Sequence, residues 1–481
     1  MNLSIEGAMV CIGLLLLGFA LRAPLVVPVF ASLAFGSTAI VNLSSLGGSS
    51  PLIYTMFAAA LIASVAARRQ FWEDLGRVFA RYPTAFVIGG LMVYVAAGAY
   101  LLPRLFEGET TALVTRARGV GGKAVVEAPL TPTGGNITQT GYFMLGALMF
   151  FSVSILLLRH NYIRQIRLGY IAWASMHAAT GIADWLAKTV GAGDVLSPIR
   201  TASYAMLTET EHGGFSRVVG AYSEASAFGG VTVACAAFAF ADWRVTGSRA
   251  MLALSAVLFA LVVLSTSSTA YAALTIITAV TALSVLRSAL TDKLSTEDVA
   301  FTLLLVLGAI LVAGTYLFDN RIFDPMITLF EATISNKAAS ESAIERSYWN
   351  SVSLQSALDT DLLGIGLGSS RASSLVVAVV SQLGVIGSAL ILTLVYVLTR
   401  RIDPADRAYA SREVVALHDG ARAAAICGLI TGSIASGSAD PGLLFFVALA
   451  TTLACRYNAR AAREAQAPSR GHGAYFDAQP A

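Results

Sequence analysis

Between Leu375 and Leu398 the chain reads LVVAVVSQLGVIGSALILTLVYVL, without a single charged residue. At about 1.5 Å per residue, such a run makes a helix long enough to cross a hydrocarbon core about 30 Å thick. In lipid the backbone polar groups must bond within the segment, which a helix achieves and an open strand does not. Runs of this kind recur along the whole chain, so the reading of this one extends to the molecule. Of its 481 residues, 56% are hydrophobic and 13% charged, with a mean hydropathy of +0.70. A soluble domain carries about 25% charged residues, and a β-barrel would show alternating segments of about ten residues. Neither pattern occurs, and the expected fold is an all-α polytopic membrane protein.

Thirteen spans are expected, at roughly 5–21, 25–42, 51–66, 84–102, 139–157, 168–187, 218–241, 250–266, 270–286, 299–318, 374–398, 421–437 and 441–456. Only Arg22, Ala23 and Pro24 separate the first two, so a hairpin or broken helix there leaves twelve crossings. The first run has no basic segment before it and no cleavage site before Arg22, and reads as a retained helix, not a signal peptide. Placing the loops that carry Arg68, Arg159, Arg244, Arg287, Arg400 and Arg456 on one side gives a consistent alternation. That side then holds about 21 of the 32 Lys and Arg with about 12 acids, against about 11 basic and 17 acidic residues opposite. By the positive-inside rule it is the cytoplasm.

The expected organisation is a single transmembrane domain over 1–456, followed by an Ala-, Gly- and Pro-rich cytoplasmic tail, 457–481, expected to be disordered. Three outer segments, about 103–138, 188–217 and 319–373, exceed simple turns. The first, Gly- and Thr-rich around Thr131–Gly135, reads as floppy. The third sets Ile327, Phe330, Ile334, Ile344, Tyr348 and Trp349 among charges, a pattern for helices lying on the membrane surface. Cys11, Cys235, Cys427 and Cys455 sit singly in apolar runs and the five His are scattered, so neither a disulfide framework nor a metal site is expected.

Charge inside an apolar chain marks the candidate chemistry. Arg217-Val-Val-Gly220-Ala-Tyr222-Ser223-Glu224-Ala-Ser226 stands where an outer loop enters a long apolar run. If helical, it puts Arg217 and Glu224 on one face, with Glu224 the most deeply placed acid of the chain. The plainer alternative has Arg217 snorkelling to the interface and Glu224 bonded to a neighbouring helix. A second constellation joins Arg346, near Trp349, to Gly364-Ile-Gly366-Leu-Gly368-Ser-Ser-Arg371. Glycines let backbone amides approach an anion, and arginine binds two phosphate oxygens at once. The alternative is an ordinary loop entering a helix. A third, Ser265-Thr-Ser-Ser268-Thr-Ala-Tyr271, offers hydroxyls for a sugar or, equally, small residues for close helix packing. Asp184 beside Trp185 reads as an interfacial anchor and His177 as a hydrogen-bonded helix contact.

The Arg-x-x-Gly-x-Tyr-x-Glu-Ala segment, the Ser/Thr turn one span later and the Leu-Gly-Ile-Gly-Leu-Gly-Ser-Ser-Arg loop before Gln382-Leu-Gly-Val-Ile-Gly387 resemble the superfamily of O-antigen ligases and Wzy-type polymerases. The likeness covers roughly residues 200–400. It implies a GT-C-like, metal-independent glycosyltransferase of the bacterial inner membrane, with a large periplasmic loop and its active site facing the periplasm. The implied partners are an undecaprenyl-pyrophosphate-linked oligosaccharide, the growing polysaccharide chain, the bilayer, and chain-length or export proteins; neither a cofactor nor nucleic acid is implied. Ligases carry an essential histidine near the end of the large loop and favour an arginine in the Ser-rich turn; this chain has Arg371 with serines, and only hydroxyls. Both departures turn the expectation from ligase to polymerase. The expected site is Arg217 and Glu224 as catalytic residues, with Arg217, Arg346, Arg371, Gly366, Gly368, Tyr222, Ser265 and Ser268 binding pyrophosphate and sugar. Glu224 is the expected base, with Asp324 or Glu345 in its place if it serves only to hold Arg217. A transporter or flippase of a lipid-linked anion is the alternative of another class, and a structural subunit of an export complex a third.

Overall fold

The computed structural model describes residues 2–42, 51–118, 122–202, 211–212, 215–290 and 341–466. The expected span 299–318, Asp324 and the apolar Ile327, Phe330 and Ile334 lie outside the described residues, as does the tail beyond 466. The described residues are mostly helical with little sheet, an all-α architecture. In order, the helices are α1 (Ile5–Ala20), α2 (Val26–Ser32), α3 (Ile53–Ala66), α4 (Phe71–Arg81), α5 (Thr84–Leu105), α6 (Gly134–Leu156), α7 (Asn161–Thr189) and α8 (Ala225–Thr246). Then follow α9 (Arg249–Leu264), α10 (Ser268–Leu290), α11 (Glu341–Asp359), α12 (Leu375–Thr399), α13 (Pro404–Arg407), α14 (Arg412–Ala435) and α15 (Leu443–Gln466). Among the described residues there are three antiparallel ribbons: β1 (Asn2–Leu3) with β2 (Val41–Asn42), β3 (Thr111–Arg118) with β4 (Gly122–Pro129), and β5 (Glu211–His212) with β6 (Phe215–Ser216).

Among the described residues six helices, α5, α6, α8, α10, α12 and α14, are long and apolar enough to cross a membrane; α1, α3 and α9 are apolar but shorter. Large apolar side chains stand outward on these helices, with Met9 67%, Phe86 64%, Val93 71% and Leu392 66% exposed. Such a surface suits lipid, where it meets its own chemistry. Inside, α8 packs along α14 and against α7 and α9, with Phe228, Phe238, Tyr170 and Trp173 in the core. Asp242 of α8, fully buried, accepts from Arg167 of α7 at 2.7 and 2.8 Å, a forked pair that locks the two helices in register.

Several sequence expectations change. The run 25–42 is not a span: α2 stops at Ser32, and the chain turns through an isolated bridge to β2. Pro24 and a left-handed Arg22 (φ 55°) end α1 there, giving the broken arrangement that was one of the two readings. Segment 103–138 is not floppy. α5 runs to Leu105, β3 and β4 form a regular hairpin, and α6 opens on a Thr133/Asn136 capping box. The last helix continues past Arg456 to Gln466. Finally, the opening run is itself interrupted: Gly384 takes φ 63°, ψ −167°, dividing α12 in two.

Candidate functional site

Charge sorts the bundle into two ends. At one gather Arg167–Asp242, Arg407–Asp419 at 2.9 Å, Arg463–Asp406 at 3.0 Å and Arg81 over the Tyr457 ring. The opposite end carries the C-terminal ends of α5, α7, α9 and α14 and the N-terminal ends of α6, α8, α10, α12 and α15, with all three motif groups.

Residues 217–219 form no regular element and Gly220 is left-handed (φ 55°), so Arg217 and Glu224 do not share a helix face as expected; α8 begins at Ala225 with Glu224 as its N-cap. The left-handed Gly220 and the extended Glu224 (φ −156°, ψ 157°) keep the helix from starting earlier, and the amides of Val219 and Gly220 donate to Asp184 Oδ2, at 2.7 and 3.1 Å. Lys188 Nζ donates to the same oxygen at 3.0 Å and to the Arg217 carbonyl at 2.6 Å. Arg200, missed in the sequence, donates through Nε to the Gly220 carbonyl at 3.0 Å, pairs with Asp194 and lies 3.6 Å from Asp184. Asp184 is therefore the post to which this segment is tied, not an interfacial anchor. At 1% exposed it lies deeper than Glu224, as does Asp242 at 0%, so Glu224 is not the most deeply placed acid.

Arg217 is half-buried, and its Nε has no hydrogen-bond acceptor among the described residues. Burial lowers its pKa from the ordinary value, while nearby Glu224 and Tyr271 work to keep it charged. The Tyr222 hydroxyl donates to the Leu33 carbonyl at 2.6 Å, and its ring meets the His177 edge at 5.5 Å. His177 is the helix contact expected of it, its Nε2 2.8 Å from Thr232 Oγ1.

The glycine loop has a different purpose from the expected anion cradle. Gly364, Gly366 and Gly368 all have φ between 83 and 88°, but their neighbourhood is occupied by protein. The amide of Ile365 donates to the Ser381 carbonyl at 3.0 Å and that of Gly366 to the Gln382 carbonyl at 3.0 Å. Gly368 donates to Gln382 Oε1 at 2.8 Å, and Val385 to the Leu362 carbonyl at 2.9 Å. The loop thus binds the backbone groups that the break at Gly384 leaves open, as burial away from water requires. Gly366 and Gly368 are withdrawn as anion ligands.

Arg371 follows this loop and is exposed. Its amide donates to the Leu113 carbonyl at 3.0 Å, while Leu113 donates back to Ser370 Oγ at 3.0 Å, so the β3–β4 hairpin fixes its position. Its guanidinium lies 5.7 Å from the Trp349 ring centre and against Gly437, where an added Cβ would sit 3.1 Å from Nε. Arg346 is half-buried on α11, one turn before Trp349 and Asn350; Asn350 Oδ1 accepts from the Ser373 amide at 2.9 Å. Arg346 and Arg371 thus belong to one face, while Glu345 is exposed. In the third motif Ser265 is fully buried and donates to the Val262 carbonyl at 2.7 Å. A Cβ at Gly229 would fall 2.9 Å from its Oγ, so the packing alternative holds for Ser265. Neither Ser265 nor Ser268 lines the cavity described next; Thr269 does.

That cavity, about 320 Å³, lies between α8 and α14 and is walled by Trp173, Tyr222, Glu224, Thr269, Leu375 and Asp440, among others. Arg217 stands beside Glu224 at one side, and Arg371 lies against Gly437 on the loop that carries Asp440. Two acids in the wall and two arginines nearby suit a ligand with both hydroxyl and phosphate groups. Asp440, between α14 and α15, was missed: a lone acid in a loop of small residues gives no signal until its position is known. Fold and site together define a helical membrane protein with a mainly apolar cavity, into which two acids and a few hydroxyls are set, at one end of its bundle. No family model and no curated protein matches the chain.

Proposed function

We propose that the chain is a GT-C-like membrane glycosyltransferase that polymerises undecaprenyl-pyrophosphate-linked oligosaccharide repeat units into an exopolysaccharide or O-antigen, at the periplasmic face of the bacterial inner membrane. One observation carries the reading: residues of the Arg217–Ser226 segment and of the chain after Arg371 wall a single cavity, with a guanidinium near each side. The donor pyrophosphate binds Arg217 and Arg371, with Arg346 on the Arg371 side. As the anomeric bond breaks, charge grows on the pyrophosphate, and fixed guanidinium groups stabilise it. An acceptor hydroxyl attacks from the opposite face, so the configuration inverts. Glu224 supports the charge of Arg217. The growing glycan is the second substrate, and chain-length or export proteins are the natural partners.

The test is a reconstituted assay with the lipid-linked repeat unit extracted from host cells that lack this chain. Wild type yields a ladder of longer glycans, and Arg217→Ala and Arg371→Ala each lower its rate by roughly 10²-fold or more. Intact substrate after incubation with folded wild-type protein overturns the reading. The break in α12 favours a second one, since discontinuous helices recur at transporter binding sites. A transporter would carry the repeat unit across a vesicle membrane and form no new glycosidic bond.

A further inference from the structure

We infer that the cavity between α8 and α14 is the acceptor subsite, receiving one sugar ring of the glycan, and that Asp440 is the base that takes the proton of the attacking hydroxyl. This rests on the glycosyltransferase reading above. At about 320 Å³ the cavity stands near the small end of ligand pockets, roughly 300–1,000 Å³, and suits a ring, not a chain. Its wall matches the two faces of a sugar. Tyr222, with Trp173 behind it in the wall, is the aromatic side that ring C–H groups would meet, and Glu224, Asp440, Thr269 and Thr431 offer partners to hydroxyls.

A second observation points independently to a ligand. The Trp173 indole is 1% exposed, yet its Nε1–H has no acceptor among the described residues. Buried N–H groups almost always find one, and Trp173 stands in the wall of this cavity. Asp440 is placed for proton transfer. Its Oδ1 accepts from the Gly442 amide at 2.9 Å, which leaves Oδ2 with no donor among the described residues. Its loop is anchored: the Asp440 amide donates to Ser438 Oγ at 3.1 Å, and that hydroxyl donates to Gln139 Oε1 of α6 at 2.8 Å. Part of Asp440 still faces the cavity, but the protein around it pushes its pKa up to about 6, the range in which a carboxylate is ionised at neutral pH and still basic enough to catalyse. Glu224, by contrast, lies near enough to Arg217 to help hold its charge.

In the step, the acceptor oxygen bonds to the anomeric carbon while the bond from that carbon to the pyrophosphate oxygen breaks. The electron pair leaves on the pyrophosphate beside Arg217 and Arg371, and the hydroxyl proton passes to Asp440 Oδ2.

The experiment uses the full chain in proteoliposomes with the extracted repeat unit, comparing wild type, Asp440→Asn, Asp440→Glu and Trp173→Phe. Asp440→Asn lowers turnover by about 10²–10⁴-fold with the KM for the repeat unit nearly unchanged, and Asp440→Glu recovers part of it. Trp173→Phe raises the KM for the repeat unit several-fold with kcat nearly unchanged. An Asp440→Asn protein that is folded and within a few-fold of wild type overturns the assignment of the base while the polymerase stands. Binding is measured separately, by calorimetry, with the oligosaccharide released from the same lipid. Wild type binds it, and Trp173→Phe binds several-fold more weakly. No binding to wild type overturns the subsite whatever the activity; binding without any ladder overturns the polymerase reading, and with it the role of Asp440 as base.

Discussion

At Arg217 a half-buried guanidinium with a carboxylate nearby keeps its buried Nε–H unspent, an expensive condition unless an anion relieves it. What holds it there is Asp184, which takes two amides and Lys188 on a single oxygen. Asp184→Asn leaves Lys188 and Arg200 short of their shared anion in a buried site, at a cost of about 3–5 kcal/mol. Melting in detergent reads that loss, and activity falls with it. Asp440 ties activity to pH. With its pKa at about 6, activity plateaus at higher pH and declines as pH falls through 6; Asp440→Asn removes that limb from the kcat/KM profile. Glu224 lines the same cavity and Arg371 lies against Gly437 on this loop, while burial is what raises the Asp440 carboxyl pKa. For stability the sign is opposite. A raised carboxyl pKa favours the protonated fold, so the contribution is full below about pH 4 and lost as pH rises through 6. Asp440→Asn therefore melts a few degrees higher than wild type at pH 8.

Among the elements, α12 shows how a run that reads as one helix becomes two. The break at Gly384 would leave carbonyls and amides bare in an apolar setting, and loop 362–368 answers them group by group. Tyr94 of α5 adds its hydroxyl to the Leu383 carbonyl at 2.7 Å. A Cβ at Gly384 would fall 2.3 Å from the Leu363 carbonyl oxygen on a backbone with positive φ. Gly384→Ala is expected to destabilise the fold by roughly 2 kcal/mol or more, measured as a lower temperature at which the detergent-solubilised protein loses its monodisperse peak. The same arrangement explains why Gly-x-Gly-x-Gly misled. Glycine is demanded both where an anion approaches backbone and where another segment does, and the pattern is identical until the neighbour is seen.

For the whole molecule, the two ends of the bundle differ in charge, and the candidate site lies opposite the arginine-rich one. The proposed orientation puts that site in the periplasm. All four native cysteines are buried, so single cysteines introduced at exposed positions report cleanly. Val190→Cys and Ile344→Cys, at positions 75% and 62% exposed, should react with a membrane-impermeant maleimide added to intact spheroplasts, and Trp72→Cys, at a position 78% exposed, only after lysis. The reverse pattern inverts the orientation and removes the periplasmic assignment.

Much was legible without coordinates because it is written in local chemistry. Apolar length announces most of the membrane helices, and charge within such a chain is conspicuous, which is why Arg217, Glu224 and Arg371 stood out. The span at 25–42 was overcounted because hydropathy registers apolar residues and not the turn that Pro24 and Arg22 impose. Tertiary structure alone decided which groups meet. Asp184 and Arg200 hold a segment that is remote in sequence, Asp440 closes a cavity begun by Glu224, and Gly384 breaks its helix because loop 362–368 is there to bond the opened backbone. Each depends on partners brought together by packing, and no stretch of sequence read by itself carries that information.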